Sequence, residues 1–182
     1  MRSEPSILNR EEADSVPARA GADVSSAALA ASIAAVNWSN MSATVVGLGT
    51  MGRHYVRALQ ALGVRRLRLC SRSEASLAPF LDLEGVERVP GGMERLTCHP
   101  DAGELGIVAT PTALLVSAAE RLASLGFRKL LIEKPVSLWA GEIEQLADRL
   151  ERDGVEAVCA YNRVAYPSFL NIMAAASREG GI

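Results

Sequence analysis

The sequence predicts a doubly wound α/β domain, a parallel sheet with helices on both faces, and three observations carry that prediction. Short apolar runs alternate with amphipathic segments along most of the chain. Two of the runs, residues 105–109 (LGIVA) and 129–133 (KLLIE), are continuously apolar in their centres, as strands covered on both faces are. Glycines punctuate the junctions, and three of them, Gly47, Gly49 and Gly52, follow the first apolar run at the spacing G-x-G-x-x-G.

Each element follows from local pattern. Residues 42–46 (SATVV) form a short apolar strand ending at Gly47. Met51, Tyr55, Leu59 and Leu62 then recur at helical spacing, and Gly63 suits a C-terminal stop. Arg66, Leu67, Arg68 and Leu69 alternate with period two and read as a strand. After the strand at 105–109, Leu115, Ala119, Leu122 and Leu125 share one helical face closed by Gly126. Beyond the strand at 129–133, Trp139, Ile143, Leu146 and Leu150 form a further stripe, with Gly154 past its end. Residues 156–161 (EAVCAY) make one more strand, and a last helix follows from Tyr166. The expected organisation is an extension over 1–40, polar and then Ala/Ser-rich, disordered or loosely helical; a nucleotide-binding domain over 41–165; and a linking helix over 166–182.

Composition excludes several functions. Nearly half of the 182 residues are apolar (49%), enough for a real core. A net charge of -2, from 19 basic and 21 acidic residues, offers no field for nucleic acid or an anionic membrane surface. Aromatics at 4% are too few for a base-stacking platform. Cys70, Cys98 and Cys159 are far apart and His54 and His99 join no cluster, so no metal site is expected. Unpaired thiols fit a reducing cytoplasm. No apolar run approaches the roughly 20 residues that span a bilayer, and the N-terminus has early acids and no apolar core, unlike a signal peptide.

Right-handed crossovers bring the C-terminal ends of parallel strands to one edge, where ligands bind. The glycine turn lies at that edge. Gly47 permits the tight strand-to-helix turn, Gly49 leaves a pyrophosphate unobstructed, and Gly52 lets the helix pack closely. Thr50 and Met51 open the helix whose N–H groups face the charge. An NAD enzyme keeps a carboxylate roughly 20 residues on for the ribose 2′-hydroxyl. Here the strand runs out at Ser71-Arg72, a hydroxyl and an arginine, which suit a 2′-phosphate and favour NADP over NAD. A solvated loop arginine is the alternative. Two more strand ends reach the same edge. Thr110 and Pro111 would touch nicotinamide or its ribose, unless they merely start a helix. Glu133, Lys134 and Pro135 place a lysine in a cleft, where desolvation can tune it, and Pro135 allows a cis bond that aims it; a surface lysine is the alternative.

Taken in order, Gly47 to Gly52, Ala109-Thr110-Pro111-Thr112, Glu133-Lys134-Pro135 and Tyr161-Asn162-Arg163 resemble the glucose-fructose oxidoreductase, inositol dehydrogenase and MocA (Gfo/Idh/MocA) family. The likeness runs from about Met41 to Ile182. It implies an NAD(P)-binding Rossmann domain and hydride transfer with a sugar, sugar-nucleotide or cyclitol-like substrate. It implies that Lys134 is catalytic, touching substrate and nicotinamide ribose, and that Tyr161, Asn162 and Arg163 line the substrate side. The chain departs from the family pattern in two ways. Leu114 and Leu115 stand where a histidine is common, and the family's C-terminal sheet domain, which supplies a proton-transferring Asp/His pair, would begin about where this chain stops. Hydride transfer needs such a proton partner; Lys134 is a poor candidate for it and the chain offers no other. An oxidoreductase completed by a second domain, and a truncated or accessory nucleotide-binding module without catalysis, are therefore both expected readings; an S-adenosylmethionine enzyme finds no role for the Glu-Lys-Pro and Tyr-Asn-Arg elements. The uncovered cleft predicts a homo-oligomer or a covering partner.

Overall fold

In a computed structural model of the chain, residues 26–97 and 99–178 are described. Helix α1 (Ser26–Ala35) precedes the sheet; residues 1–25, the greater part of the expected extension, lie outside the described residues. Six strands follow: β1 (Ser42–Val46), β2 (Arg66–Ser71), β3 (Val86–Pro90), β4 (Leu105–Val108), β5 (Lys129–Ile132) and β6 (Glu156–Cys159). They form one sheet in the order β3-β2-β1-β4-β5-β6, every pairing parallel. The helices are α2 (Thr50–Ala61), the single turn α3 (Glu74–Leu77), α4 (Leu115–Ser124), α5 (Ala140–Arg152) and α6 (Pro167–Arg178).

Strand alternation divides the core into two layers. Ala43, Val45, Leu67, Leu69 and Ile107 face α2 and the Leu77–Phe80 region, with Val56 and Leu59 packed on them. Val46, Cys70, Val108 and Ile132 face the other way onto α4 and α5, through Leu115, Ala119, Leu122 and Leu146. β1 is central and buried at all five positions, so the turn that follows it is held from both sides of the sheet. The chain leaves β1 for β2 and β3, then crosses back to β4 on the other side of β1. That reversal opens a crevice beyond the ends of β1 and β4.

Three details differ from the sequence expectation. β3 carries little apolar signal: it is an edge strand in which only Val86 and Val89 are half-buried, and no strand is predicted there. The buried stripe of α2 consists of Gly52, Val56 and Leu59, whereas Met51 is 40% exposed and Leu62 is also exposed. The glycine turns inward at the start of the helix, which rotates the buried face away from Met51. In α5 the stripe begins only at Leu146; Trp139 is the residue before the helix and is 70% exposed.

Candidate active-site cleft

The crevice at the switch point is a cleft of about 860 Å³, within the usual range for small-molecule sites. Its floor is the end of β1 and the glycine turn. Gly47 has φ +94°, and a methyl carbon there would lie 2.5 Å from the Ala109 carbonyl oxygen and 2.8 Å from Thr110 N. The turn therefore depends on glycine twice, for its backbone angle and for the close approach of the β4 end. Two hydrogen bonds seat it: Gly47 N–H donates to the Cys70 carbonyl at 2.9 Å, and Ala109 N–H donates to the Val46 carbonyl at 2.8 Å. Gly52 backs the turn rather than lining the cleft, since a methyl there would fall 1.8 Å from the Gly47 carbonyl oxygen. Gly49 faces open space, with no atom within 4 Å of a would-be side chain. Gly49, Thr50 and Met51 thus present the first turn of α2, where N–H groups lack intrahelical partners, to the cleft.

At one end stand Ser71, the last residue of β2, and exposed Arg72. No carboxylate occupies the β2 tip itself. Glu94, which sequence reasoning passed over, also lines this end, brought there by the turn after β3. Its signal was absent because β3 was not legible, so nothing connected residue 94 with residue 72.

At the other end are Thr110, Pro111, Thr112, Leu114, Glu133 and Lys134. Thr110 Oγ1 is buried and has no hydrogen-bond partner; a buried hydroxyl left in that state calls for a ligand group or water. Pro111 precedes a 3₁₀ turn, Thr112–Leu114, rather than entering α4 directly. Leu115, by contrast, is core and does not reach the cleft.

The Lys134-Pro135 bond is cis. Glu133 is 7% exposed and uses both carboxylate oxygens: Oε1 accepts from the Tyr55 hydroxyl at 2.5 Å, and Oε2 accepts from the Lys134 N–H at 3.2 Å. Tyr55, on α2, thereby ties the helix of the glycine turn to the β5 end. Burial, the hydrogen bond to Glu133 and that residue's negative charge push the Tyr55 phenol above its ordinary value, and nearby Cys159 adds a smaller push the same way. Burial likewise raises the Cys159 thiol, and the Glu133 charge adds to it; hydrogen bonds from Tyr161 and the Ala160 backbone and the Lys134 charge oppose. Lys134 itself is exposed. The buried setting expected of it is not supplied by the described residues.

The structure thus brings Gly47, Gly49, Thr50, Met51, Ser71, Arg72, Thr110, Pro111, Glu133 and Lys134 into one cleft. It leaves Tyr161, Asn162 and Arg163 outside, exposed in the turn after β6. Both histidines are also elsewhere. His54 is on the exposed side of α2, and His99 Nδ1 bonds the Leu125 carbonyl at 3.0 Å. Among the described residues no group of His, Cys, Asp or Glu is placed to hold a metal, and no helix is long and apolar enough to cross a membrane. Cys70 and Cys159 form no disulfide among the described residues; Cys98 lies outside them.

A parallel sheet of this order with a glycine turn at its switch point defines a dinucleotide-binding Rossmann domain. The model of one family, described as "Oxidoreductase family, NAD-binding Rossmann fold", matches residues 41–161, and the chain belongs to that Gfo/Idh/MocA family. Solved structures agree on the fold. The YvaA protein of Bacillus subtilis is similar at 25% identity and a TM-score of 0.63, over 76% of this chain and 40% of that one. The WlbA dehydrogenase of Chromobacterium violaceum, solved with NADH and UDP-GlcNAcA, is similar at 17% identity and a TM-score of 0.67, over 79% and 41%. A scyllo-inositol dehydrogenase of Lactobacillus casei, solved with NAD(H) and scyllo-inositol, is similar at 18% identity and a TM-score of 0.64, over 78% and 42%. The chain therefore spans about two fifths of the length of these structures. No curated protein matches it.

Proposed function

We propose that the cleft holds NADP(H), with NAD(H) as the weaker ligand, and that the chain is the cofactor half of an oxidoreductase acting on a sugar, sugar nucleotide or cyclitol-like substrate. The observation that carries this reading is the convergence of three strand ends, at Gly47–Met51, Thr110–Pro111 and Glu133–Lys134, on one cleft. The residues fit the cofactor: Gly49 leaves room at the helix N-terminus for a pyrophosphate, Arg72 is free of ion pairs among the described residues and suits a 2′-phosphate, and Thr110 Oγ1 needs a partner. Bound there, nicotinamide supplies hydride exchange. Lys134 would meet the substrate at the mouth of the cleft. Its exposure supports a missing wall, and a second domain or another chain would supply that wall and bring Tyr161, Asn162 and Arg163 to the substrate. The UDP-GlcNAcA and scyllo-inositol held by two of the similar structures support the substrate class. Cysteines that form no disulfide among the described residues support a cytoplasmic setting.

A second reading is a nucleotide-binding module without catalysis of its own. It is favoured by the charged side chains of the cleft, Arg72, Glu94, Glu133 and Lys134, with no histidine among the lining residues to move a proton. Fluorescence titration with NADPH and NADH tests the cofactor. Arg72→Ala should weaken NADPH binding by about tenfold or more and NADH binding much less; equal losses would refute the NADP assignment. Lys134→Ala in the form completed by its second domain separates the two readings, because only the enzymatic one loses turnover.

A further inference from the structure

The tip of β2 lacks the carboxylate that reads a ribose 2′-hydroxyl, yet a carboxylate reaches that place from another strand. β2 and β3 run in register to their ends, Ser71 beside Pro90, and the Gly92 N–H donates to the Ser71 carbonyl at 3.1 Å. The turn after β3 is thereby fastened to the β2 tip. Gly92 is buried with φ +90°, and a methyl carbon there would lie 2.8 Å from Glu94 Oε2 and 2.9 Å from Arg72 Cγ. The absent side chain leaves a space that both Arg72 and Glu94 border. Both line the cleft, and neither makes an ion pair among the described residues.

Resting on the cleft as the dinucleotide site, we propose that Glu94 is the second reader of the adenosine ribose and acts against Arg72. The Arg72 guanidinium attracts a 2′-phosphate, while the Glu94 carboxylate accepts a hydrogen bond from a 2′-hydroxyl and repels a 2′-phosphate. Cofactor choice is then a balance of two opposite charges on neighbouring strand ends. A lone arginine would give a firmly NADP-selective site; the pair gives one that also takes NAD.

Glu94→Gln keeps the size and removes the charge. In fluorescence titrations of the full chain, NADPH affinity should rise by about tenfold and NADH affinity should fall or stay level. The gain should shrink as salt rises from about 0.01 M to 0.15 M. Adenosine 2′,5′-bisphosphate, used as a competitor, should gain as NADPH does and 5′-AMP should not, which locates the effect at the 2′ position. Glu94 is exposed, and Glu94→Ala, with circular dichroism to check folding, must shift the NADPH-to-NADH ratio in the same direction. A ratio unchanged in both variants, with wild-type binding intact, overturns the role of Glu94 and leaves the cofactor site standing. A wild-type chain that binds neither dinucleotide overturns both.

Discussion

Gly47 and Gly49 stand two residues apart and answer to different demands. Gly47 is confined by its positive φ and by the β4 end, whose carbonyl would sit 2.5 Å from a methyl carbon. Gly47→Ala should lower stability by at least about 2 kcal/mol, read from urea unfolding. Gly49 has an ordinary φ of -69° and open space in front of it. Gly49→Ala should change stability by less than about 1 kcal/mol but weaken dinucleotide binding markedly, since a methyl there stands where the cleft needs room. Loss of stability at position 49 without loss of binding would reverse these roles.

Tyr55 adds a pH signature. Its folded-state value is raised, so the neutral phenol that donates to Glu133 is favoured by folding. That contribution is fully present below the ordinary tyrosine value of about 10 and is lost as pH rises through the raised one. Wild type should therefore exceed Tyr55→Phe in stability by a constant margin up to about pH 9, with the margin falling above pH 10. The same substitution should remove a phenolate absorbance step lying above the ordinary range.

Among the elements, the face of the sheet over β1, β2 and β3 on the α4 side is covered unusually. Between β3 and β4 the described residues form a short 3₁₀ turn, Met93–Arg95, and loop, with no helix to lie on that face. A polar network lies on the strands instead. Arg68 reaches Glu104 at 2.9 Å, Glu87 at 2.8 Å and Thr44 Oγ1 at 3.2 Å, and Thr44 also donates to Glu104 at 2.5 Å. Glu104 is 3% exposed and Thr44 is fully buried. Satisfied on every side, such a network costs little; broken, it leaves a buried charge. Arg68→Met should cost about 3 kcal/mol. Adding Glu104→Leu should restore part of that loss, a non-additivity that a double-mutant cycle in urea will show. A simple sum of the two losses would mean that the charges are not coupled.

At the scale of the whole molecule, the described residues leave one surface uncovered. From β6 onwards Val158, Tyr161, Val164, Tyr166, Phe169 and Ile172 are all exposed, while α1 touches α6 only along part of its length. Exposed apolar stretches of this kind mark interaction sites. Sedimentation velocity of the chain by itself should show concentration-dependent self-association, reduced by Phe169→Asp with Ile172→Asp. A monomer at all concentrations, with α6 protected from hydrogen exchange, would count against that surface.

Sequence and structure divide this protein along a physical line. The β/α alternation, the glycine turn, Arg72, the Thr-Pro-Thr turn and Glu-Lys-Pro were legible because each depends on neighbours in the chain: periodicity, a tight turn, the residue at a strand's end. What stayed hidden depends on neighbours in space. β3 is an edge strand whose few apolar residues carry no pattern, and without it Glu94 had no connection to Arg72. The faces of α2 and α5 differ from their sequence stripes because Gly52 takes a buried position in α2 and Trp139 stands before α5, exposed. The sequence by itself determined that a dinucleotide-type turn stands at the edge of a parallel sheet. Only the tertiary structure decided which charges meet there, because parallel strands place residues 71, 72, 92 and 94 side by side through a crossover that no local pattern records.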